Sequence, residues 1–300
     1  MVNPGNDRMS QYKTPLRYPG GKQRLWAFVD EILTTNELNA ADYVEPFAGG
    51  AGVAMELLLR GRVKRVHLND SCISVYSFWH SLLNESERFC TAVSRASLNV
   101  DTWKRQREIF RNRDTADRFD LGFAMFYLNR CNRSGILNGG VIGGLDQTGE
   151  WKMDARFPRN ELISRIEAIA ARKSDIKVRN WDAERFITQY VPRLPEETIV
   201  YCDPPYFRKA DRLYLNHYKP EDHQRIAQVI QRDITQHWIV SYDCCDEIQK
   251  FYEERTSFEY LLQYNAAKAY KGSELFIFSD QTEIPSRSSL SAIDTALVGA

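Results

Sequence analysis

The residues with the clearest chemical reading are Asp203-Pro204-Pro205-Tyr206, which follow the β-prone run Ile199-Val200-Tyr201-Cys202. Each proline ring fixes φ, and a residue before proline is pushed into extended geometry, so the strand delivers a carboxylate onto a stiff, preset corner. Stiffness at a strand end suits catalysis, where a group must be held in one geometry. An ordinary Pro-Pro turn is the bland alternative. A chance match to the tetrapeptide is expected in only about one chain in several hundred at average residue frequencies, which weighs against it.

A second stretch, Tyr43-Val44-Glu45-Pro46-Phe47-Ala48-Gly49-Gly50-Ala51-Gly52, reads as a strand running into a glycine turn and then a helix. Glycines there let backbone approach a ligand at the carboxyl end of a strand, where open α/β sheets place their ligands. The pattern is not G-x-G-x-x-G, and a tight turn with no ligand needs glycine too. Asp70 ends the next strand about 20 residues after Gly50, where an acid meets ribose hydroxyls, although it could equally cap the following helix. With no Lys-Ser or Lys-Thr after the glycines, the ligand reads as an adenosyl compound without a polyphosphate.

These residues need elements to hold them. Strand-like runs alternate with helical patterns at both ends of the chain, the signature of βα units and a largely parallel sheet. Strands are expected at 42–47, 63–69, 176–180, 198–202 and 238–242, with helices at 53–60, 72–83, 160–171, 183–190, 221–232 and 246–254. The runs 258–264 and 274–279 read as an antiparallel pair. Between them, 85–130 is helical and charged, with Lys104, Arg105, Arg107, Arg111, Arg113 and Arg118 forming a basic cluster. That cluster is either a solvated face or a phosphate-contacting surface. The Gly-rich stretch 135–149 reads as a hairpin or extended loop.

Composition bounds the rest. The 300 residues carry 40 Lys+Arg against 40 Asp+Glu and are 43% hydrophobic, which suits a globular chain of about two domains and excludes disordered, collagen-like and disulfide-scaffold classes. Zero net charge means that nucleic-acid affinity must come from local patches. The start lacks a secretory core, and no run approaches the roughly 18 apolar residues of a membrane span, so a cytoplasmic chain is expected. The six cysteines read as reduced thiols, and the five histidines lack metal-ligand spacing, so no metal is assigned.

The sequence resembles the Dam-like, D12-class DNA adenine-N6 methyltransferases. Three motifs stand in that family's order: Arg17-Tyr18-Pro19-Gly20-Gly21-Lys22, Glu45 to Gly52, and Asp203 to Tyr206; Phe126-Tyr127-Leu128-Asn129-Arg130 is similar to the segment before the family's DNA-reading hairpin. The resemblance spans about Pro15 to Ser279. It implies a Rossmann-like mixed, mostly parallel α/β sheet from 1–84 and 174–280, an inserted helical and hairpin target-recognition domain at 85–173, and a flexible tail at 281–300. It further implies S-adenosylmethionine as cofactor, held by Tyr18, Lys22, Glu45, Phe47, Gly49, Gly50, Gly52, Asp70 and Asp203. Double-stranded DNA is the implied partner, with Arg130, Asn132, Arg133 and Asn138 as candidate contacts. Cys131 to Ser134 and the glycines after them depart from the family's aromatic and basic pattern, which leaves the recognised base sequence open.

On this reading Asp203, Pro204, Pro205 and Tyr206 are catalytic. Adenine N6 is a poor nucleophile because its lone pair is delocalised. Asp203 and the Pro204 carbonyl would accept its two N–H groups and stabilise positive charge, while Tyr206 stacks on a base flipped from the duplex. Tyr18 or Phe47 could face a sulfonium, although Phe47 also suits the core. Lys22 could meet the cofactor carboxylate or the DNA backbone, or simply be solvated. The expected role is restriction-modification, phage defence or DNA marking, as a monomer by default and with a defence partner protein left open. The alternatives are a catalytically silent DNA-binding or scaffold subunit, or an N4-cytosine methyltransferase.

Overall fold

The computed structural model describes residues 14–17, 22–208, 218–264 and 270–285. Tyr18, Pro19, Gly20, Gly21 and the residues beyond 285 lie outside the described residues. The chain divides into two compact units, one of Met1–Pro19 with Ile73–Ser174 and one of Gly20–Cys72 with Asp175–Ala300.

The second unit is built on a seven-stranded sheet of order β3-β2-β1-β4-β5-β7-β6. Its strands are β1 (Asp42–Glu45), β2 (Arg65–Asn69), β3 (Ile176–Arg179), β4 (Ile199–Cys202), β5 (His237–Asp243), β6 (Ser257–Tyr264) and β7 (Tyr270–Phe278). The first five pair in parallel, whereas β7 runs antiparallel to both β5 and β6. This is the expected mixed α/β, Rossmann-like sheet. The strand order reverses between β1 and β4, and such a switch point opens a crevice at the strands' carboxyl ends.

The four residues of β1 and of β4 are all buried, so these strands read as continuous rather than alternating patterns. One face of the sheet packs Val44, Val200 and Val240 against Phe186 of α8 (Ala183–Gln189), Ile226 and Ile230 of α9 (Pro220–Asp233), and Ile248 of α10 (Asp246–Phe251). Phe28 of α1 (Trp26–Thr35) lies 4.9 Å from the Phe276 ring, and α2 (Gly52–Leu59) follows the glycine turn. Each such buried side chain contributes about 1.5–3 kcal/mol relative to leaving it exposed.

The first unit is helical: α3 (Ile73–Asn84), α4 (Ser86–Arg95), α5 (Val100–Arg111), α6 (Arg118–Cys131) and α7 (Arg159–Ala170). Its boundary falls before α3, whereas the sequence reading places the change at residue 85. Aromatic packing supplies the reason: Phe78 of α3 stacks on Phe126 of α6 at 6.1 Å, and Phe89 of α4 meets Phe126 edge-on at 5.5 Å. Helices α3 and α6 approach closely because residue 122 is glycine; a Cβ there would stand 2.5 Å from the Ser77 carbonyl oxygen. Asp117 caps α6 by accepting the Phe119 and Asp120 N–H groups at 2.9 and 3.2 Å.

Candidate active site

The candidate residues of the second unit gather at the carboxyl ends of β1, β2 and β4. At the end of β1 the backbone turns sharply, with Gly49 at φ 46° and Ala51 at φ 45°, a left-handed conformation that favours glycine. Gly52 opens α2 in tight packing, where a Cβ would stand 3.0 Å from the Gln23 Cβ. Gly50 is buried in the turn and Phe47 is half-buried, its ring 6.3 Å from that of Tyr218.

Two acids brace this turn. Asp70 accepts the Gly49 N–H at 2.9 Å through Oδ2 and the Cys72 N–H at 2.8 Å through Oδ1. It therefore ties the glycine turn after β1 to the start of the chain that follows β2. Burial raises its pKa to about 6, opposed by those two N–H groups. Glu45 lies beneath the turn, 4% exposed, where Oε1 accepts the Tyr43 hydroxyl at 3.1 Å and the Ala54 N–H at 3.2 Å. Burial pushes its carboxyl up to about 8, so at neutral pH it is a protonated strut beneath the turn.

At the end of β4, Asp203 stands on the Pro-Pro corner in a network of side chains from distant strands. Its Oδ1 pairs with the Lys22 ammonium and accepts the Ser241 hydroxyl at 3.1 Å. Lys22 also donates to Ser241 Oγ at 3.2 Å and lies 3.4 Å from Glu274 Oε2. The Lys22 and Glu274 side chains are 12% and 1% exposed, but that of Asp203 is 25% exposed. The carboxylate thus has one oxygen anchored and a surface left to offer.

Burial raises the Asp203 pKa, with Lys22 opposing the shift and Glu274 adding to it. For Lys22, burial works against the charge, but Asp203 and Glu274 outweigh it and hold the ammonium protonated. The solvated-lysine reading is therefore overturned.

Tyr206 also departs from its expected role. Its hydroxyl donates to Glu274 Oε1 at 2.5 Å, the Lys22 ammonium lies 4.8 Å from its ring centroid, and the residue is 3% exposed. As placed, it braces the corner and offers no open face for stacking. The loop beyond is clamped by Asp243, whose two oxygens accept the Phe207 and Arg208 N–H groups at 2.8 and 2.9 Å.

Sequence reasoning missed Ser241, Asp243 and Glu274. The signal for Glu274 is a carboxylate at the head of the apolar run Leu275-Phe276-Ile277-Phe278, opposite Tyr260 on β6. Tyr260 donates to Glu274 Oε2 at 2.6 Å.

The DNA-contact candidates lie in the helical unit and separate by burial. Asn132 is fully buried, and its amide accepts Trp103 Nε1–H at 2.7 Å and donates to the Ile136 and Leu137 carbonyls at 2.9 and 3.0 Å. With those groups spent on folding the loop, it is not free to read a base edge. Arg130 is 6% exposed, so the surface role expected of it is corrected as well. Arg133 and Asn138 are exposed around the bridge that pairs Asn132 with Val141. In the basic cluster Lys104, Arg105, Arg111, Arg113 and Arg118 are exposed, while Arg107 is half-buried with its guanidinium 5.0 Å from the Trp103 ring centroid.

The glycine turn and the acidic Pro-Pro corner stand at the switch point of a Rossmann-like sheet, the place where open α/β sheets take their ligands. Residues 18–268 match the D12 class N6 adenine-specific DNA methyltransferases, and the chain belongs to that family. The type II methyltransferase M.MjaIII of Methanocaldococcus jannaschii is 23% identical over 211 residues, covering 65% of this chain and 70% of that protein. Two solved structures are similar at 12% identity. One is described as a candidate RNA methyltransferase from Pyrococcus horikoshii (TM-score 0.42, covering 93% of this chain and 92% of that one). The other is the rRNA methyltransferase AviRa of Streptomyces viridochromogenes (TM-score 0.38, covering 88% of each chain).

Proposed function

We propose that this chain transfers a methyl group from S-adenosylmethionine to N6 of an adenine flipped out of duplex DNA. The observation that carries the reading is the Asp203 carboxylate, fixed by two prolines at the end of β4, anchored through one oxygen and still 25% exposed beside the switch point.

The residues present suit the cofactor. Asp70 has lone pairs left over after taking two N–H groups and can accept ribose hydroxyls, and the bend at Gly49 to Gly52 lets backbone approach a ligand. Phe47 supplies a half-buried aromatic face beside the turn. When bound, the cofactor supplies an electrophilic methyl carried on a sulfonium.

The chain's own contribution is orientation and charge. Asp203 and the Pro204 carbonyl accept the two N6–H groups, which favours a pyramidal nitrogen and steadies the positive charge that develops as the N–C bond forms. The surplus N6 proton leaves along the hydrogen bond to Asp203 and passes to water. Lys22, Ser241 and Glu274 keep that carboxylate in one position, so little reorganisation is needed.

Purified protein is expected to move labelled methyl from S-adenosylmethionine onto duplex DNA, with N6-methyladenine as the product by nucleoside mass spectrometry. Asp203→Ala should lower the transfer rate by about a hundredfold or more while leaving the far-UV spectrum unchanged. Full activity in that variant, or N4-methylcytosine as product, would overturn the reading.

A further inference from the structure

The sheet register brings one more polar group to the acidic corner. Strand β4 pairs in parallel with β5, with Tyr201 opposite Ile239 and Cys202 opposite Val240, so Asp203 comes level with Ser241. Side chains alternate along a strand, which puts Tyr201 and Asp203 on one face of β4 with Ser241 beside them on β5. The other face carries Val200, Cys202, Val240 and Tyr242 into the apolar core. Tyr201 is 3% exposed and Ser241 is fully buried. The Tyr201 hydroxyl lies 2.9 Å from Ser241 Oγ.

The direction of each hydrogen bond at Ser241 follows from what its neighbours can do. The Lys22 ammonium, 3.2 Å away, can only donate, and the ionised Asp203 carboxylate, 3.1 Å away, can only accept. Ser241 has a single hydroxyl proton, which therefore goes to Asp203 Oδ1, and two lone pairs, one of which takes Lys22. The other is left for Tyr201. The tyrosine is thus the donor, and the chain runs from Tyr201 O–H to Ser241 O–H to Asp203 Oδ1. Burial holds the Tyr201 pKa well above the ordinary 10, so the hydroxyl keeps its proton. Hydrogen bonds in series polarise one another, and Ser241 has no site left over for a competing partner.

The Lys22 ammonium rides on a flexible four-carbon stem and could pair with either carboxylate oxygen. A serine on a strand cannot follow such a swing. Oδ1 takes both Lys22 and Ser241, and no group among the described residues bonds Oδ2. We propose that Tyr201 is a positioning residue: it fixes the Ser241 hydroxyl, which holds Oδ1 and leaves Oδ2 as the oxygen that meets N6 of the base. This rests on the methyl transfer proposed above. The other charged or titratable groups around Asp203 are Lys22 and Glu274 beside it, and Glu45, Tyr43 and Tyr260 further off. None of them is altered by Tyr201→Phe, which keeps the ring and removes only the donor.

That variant should lower kcat about fivefold with little change in the KM for cofactor, and Ser241→Ala should lower kcat further. In a Ser241→Ala background Tyr201→Phe should cost nothing more, because its hydroxyl then has no path to the carboxylate. Losses that multiply in the double variant would mean that the tyrosine acts by packing alone, and would overturn the proposal.

A second arm needs no turnover. The Asp203 carboxyl carbon is followed by NMR in the full chain without cofactor, its signal identified by its loss in Asp203→Asn. The Ser241 donor favours the ionised carboxylate. Weakening it in Tyr201→Phe should therefore move the Asp203 midpoint up by about half a pH unit, opposite in sign to Glu274→Gln. Should Tyr201→Phe not fold, the native protein is read directly: the Tyr201 hydroxyl proton should shift as Asp203 titrates, and a proton that ignores that titration overturns the chain. Failure of the native protein to move any methyl sinks the function proposed above, whereas an unmoved Asp203 midpoint in folded Tyr201→Phe sinks the role of Tyr201 alone.

Discussion

Asp203 is held by side chains that lie far from it in the chain: Lys22 before β1, Ser241 on β5 and, through Lys22, Glu274 on β7. Lys22 alone would cancel the charge of Asp203. Glu274 shares that cation and leaves the cluster with a net negative charge, which suits stabilisation of a nitrogen becoming positive. Glu274→Gln keeps an acceptor for one of the two tyrosine hydroxyls and removes the charge, so transfer should slow by about tenfold or more. Because Glu274 raises the Asp203 pKa, its neutralisation should also move the acid limb of the pH–rate profile to lower pH. A purely structural loss would lower the rate without that displacement.

Glu45 gives a stability test at the same scale. Its carboxyl titrates near 8 when folded against an ordinary 4.5, so between those values the folded state holds a proton that the unfolded chain has lost. Stability from this group is full below about 4.5 and is lost as pH rises through 8. Denaturant unfolding of Glu45→Gln should show a flatter decline between pH 5 and 8 than the native protein. A parallel decline in both proteins would place the charge cost elsewhere.

Among the elements, the loop after α6 shows how polar side chains do the work that strands do elsewhere. Asn132 folds its first half, and Gln147, at φ 54°, donates to the Ile142 and Gly144 carbonyls at 2.7 and 2.6 Å while accepting the Met153 N–H at 3.1 Å. Gln147→Ala should speed amide exchange at Met153 by about tenfold or more and leave the sheet amides unchanged. Protection at Met153 equal to that of the native protein would show that the loop is held by its glycine contacts instead. The hairpin-or-loop expectation for 135–149 was correct in kind, but burial of the asparagine was not legible: an Asn in a turn looks the same whether it points inward or outward.

For the molecule as a whole, zero net charge confines DNA affinity to local groups. The exposed Lys104, Arg105, Arg111 and Arg113 of α5 and the turn after it are one such group. Changing all four to glutamine should weaken duplex binding and lower the salt slope by about 0.9 for each phosphate that the variant no longer neutralises. An unchanged slope would make this a solvated face and leave the grip on DNA to other exposed groups such as Arg133 and Asn138. No helix among the described residues is long and apolar enough to cross a membrane.

The βα alternation, the glycine turn, the Asp70 acid and the Asp203-Pro204-Pro205-Tyr206 corner were all readable from residue order, because each depends on local backbone preference and on the period of the apolar pattern. Helix α1 was missed, and strand ends shifted by a residue or two, since neighbours rather than propensity decide where pairing stops. The tertiary structure alone decided that Lys22 is an ion-pair partner, that Tyr206 is a brace, that Glu274 joins the corner, and that Arg130 and Asn132 face inward. Burial and charge pairing are sums over residues distant in the chain, and no spacing rule along it reports which of them meet.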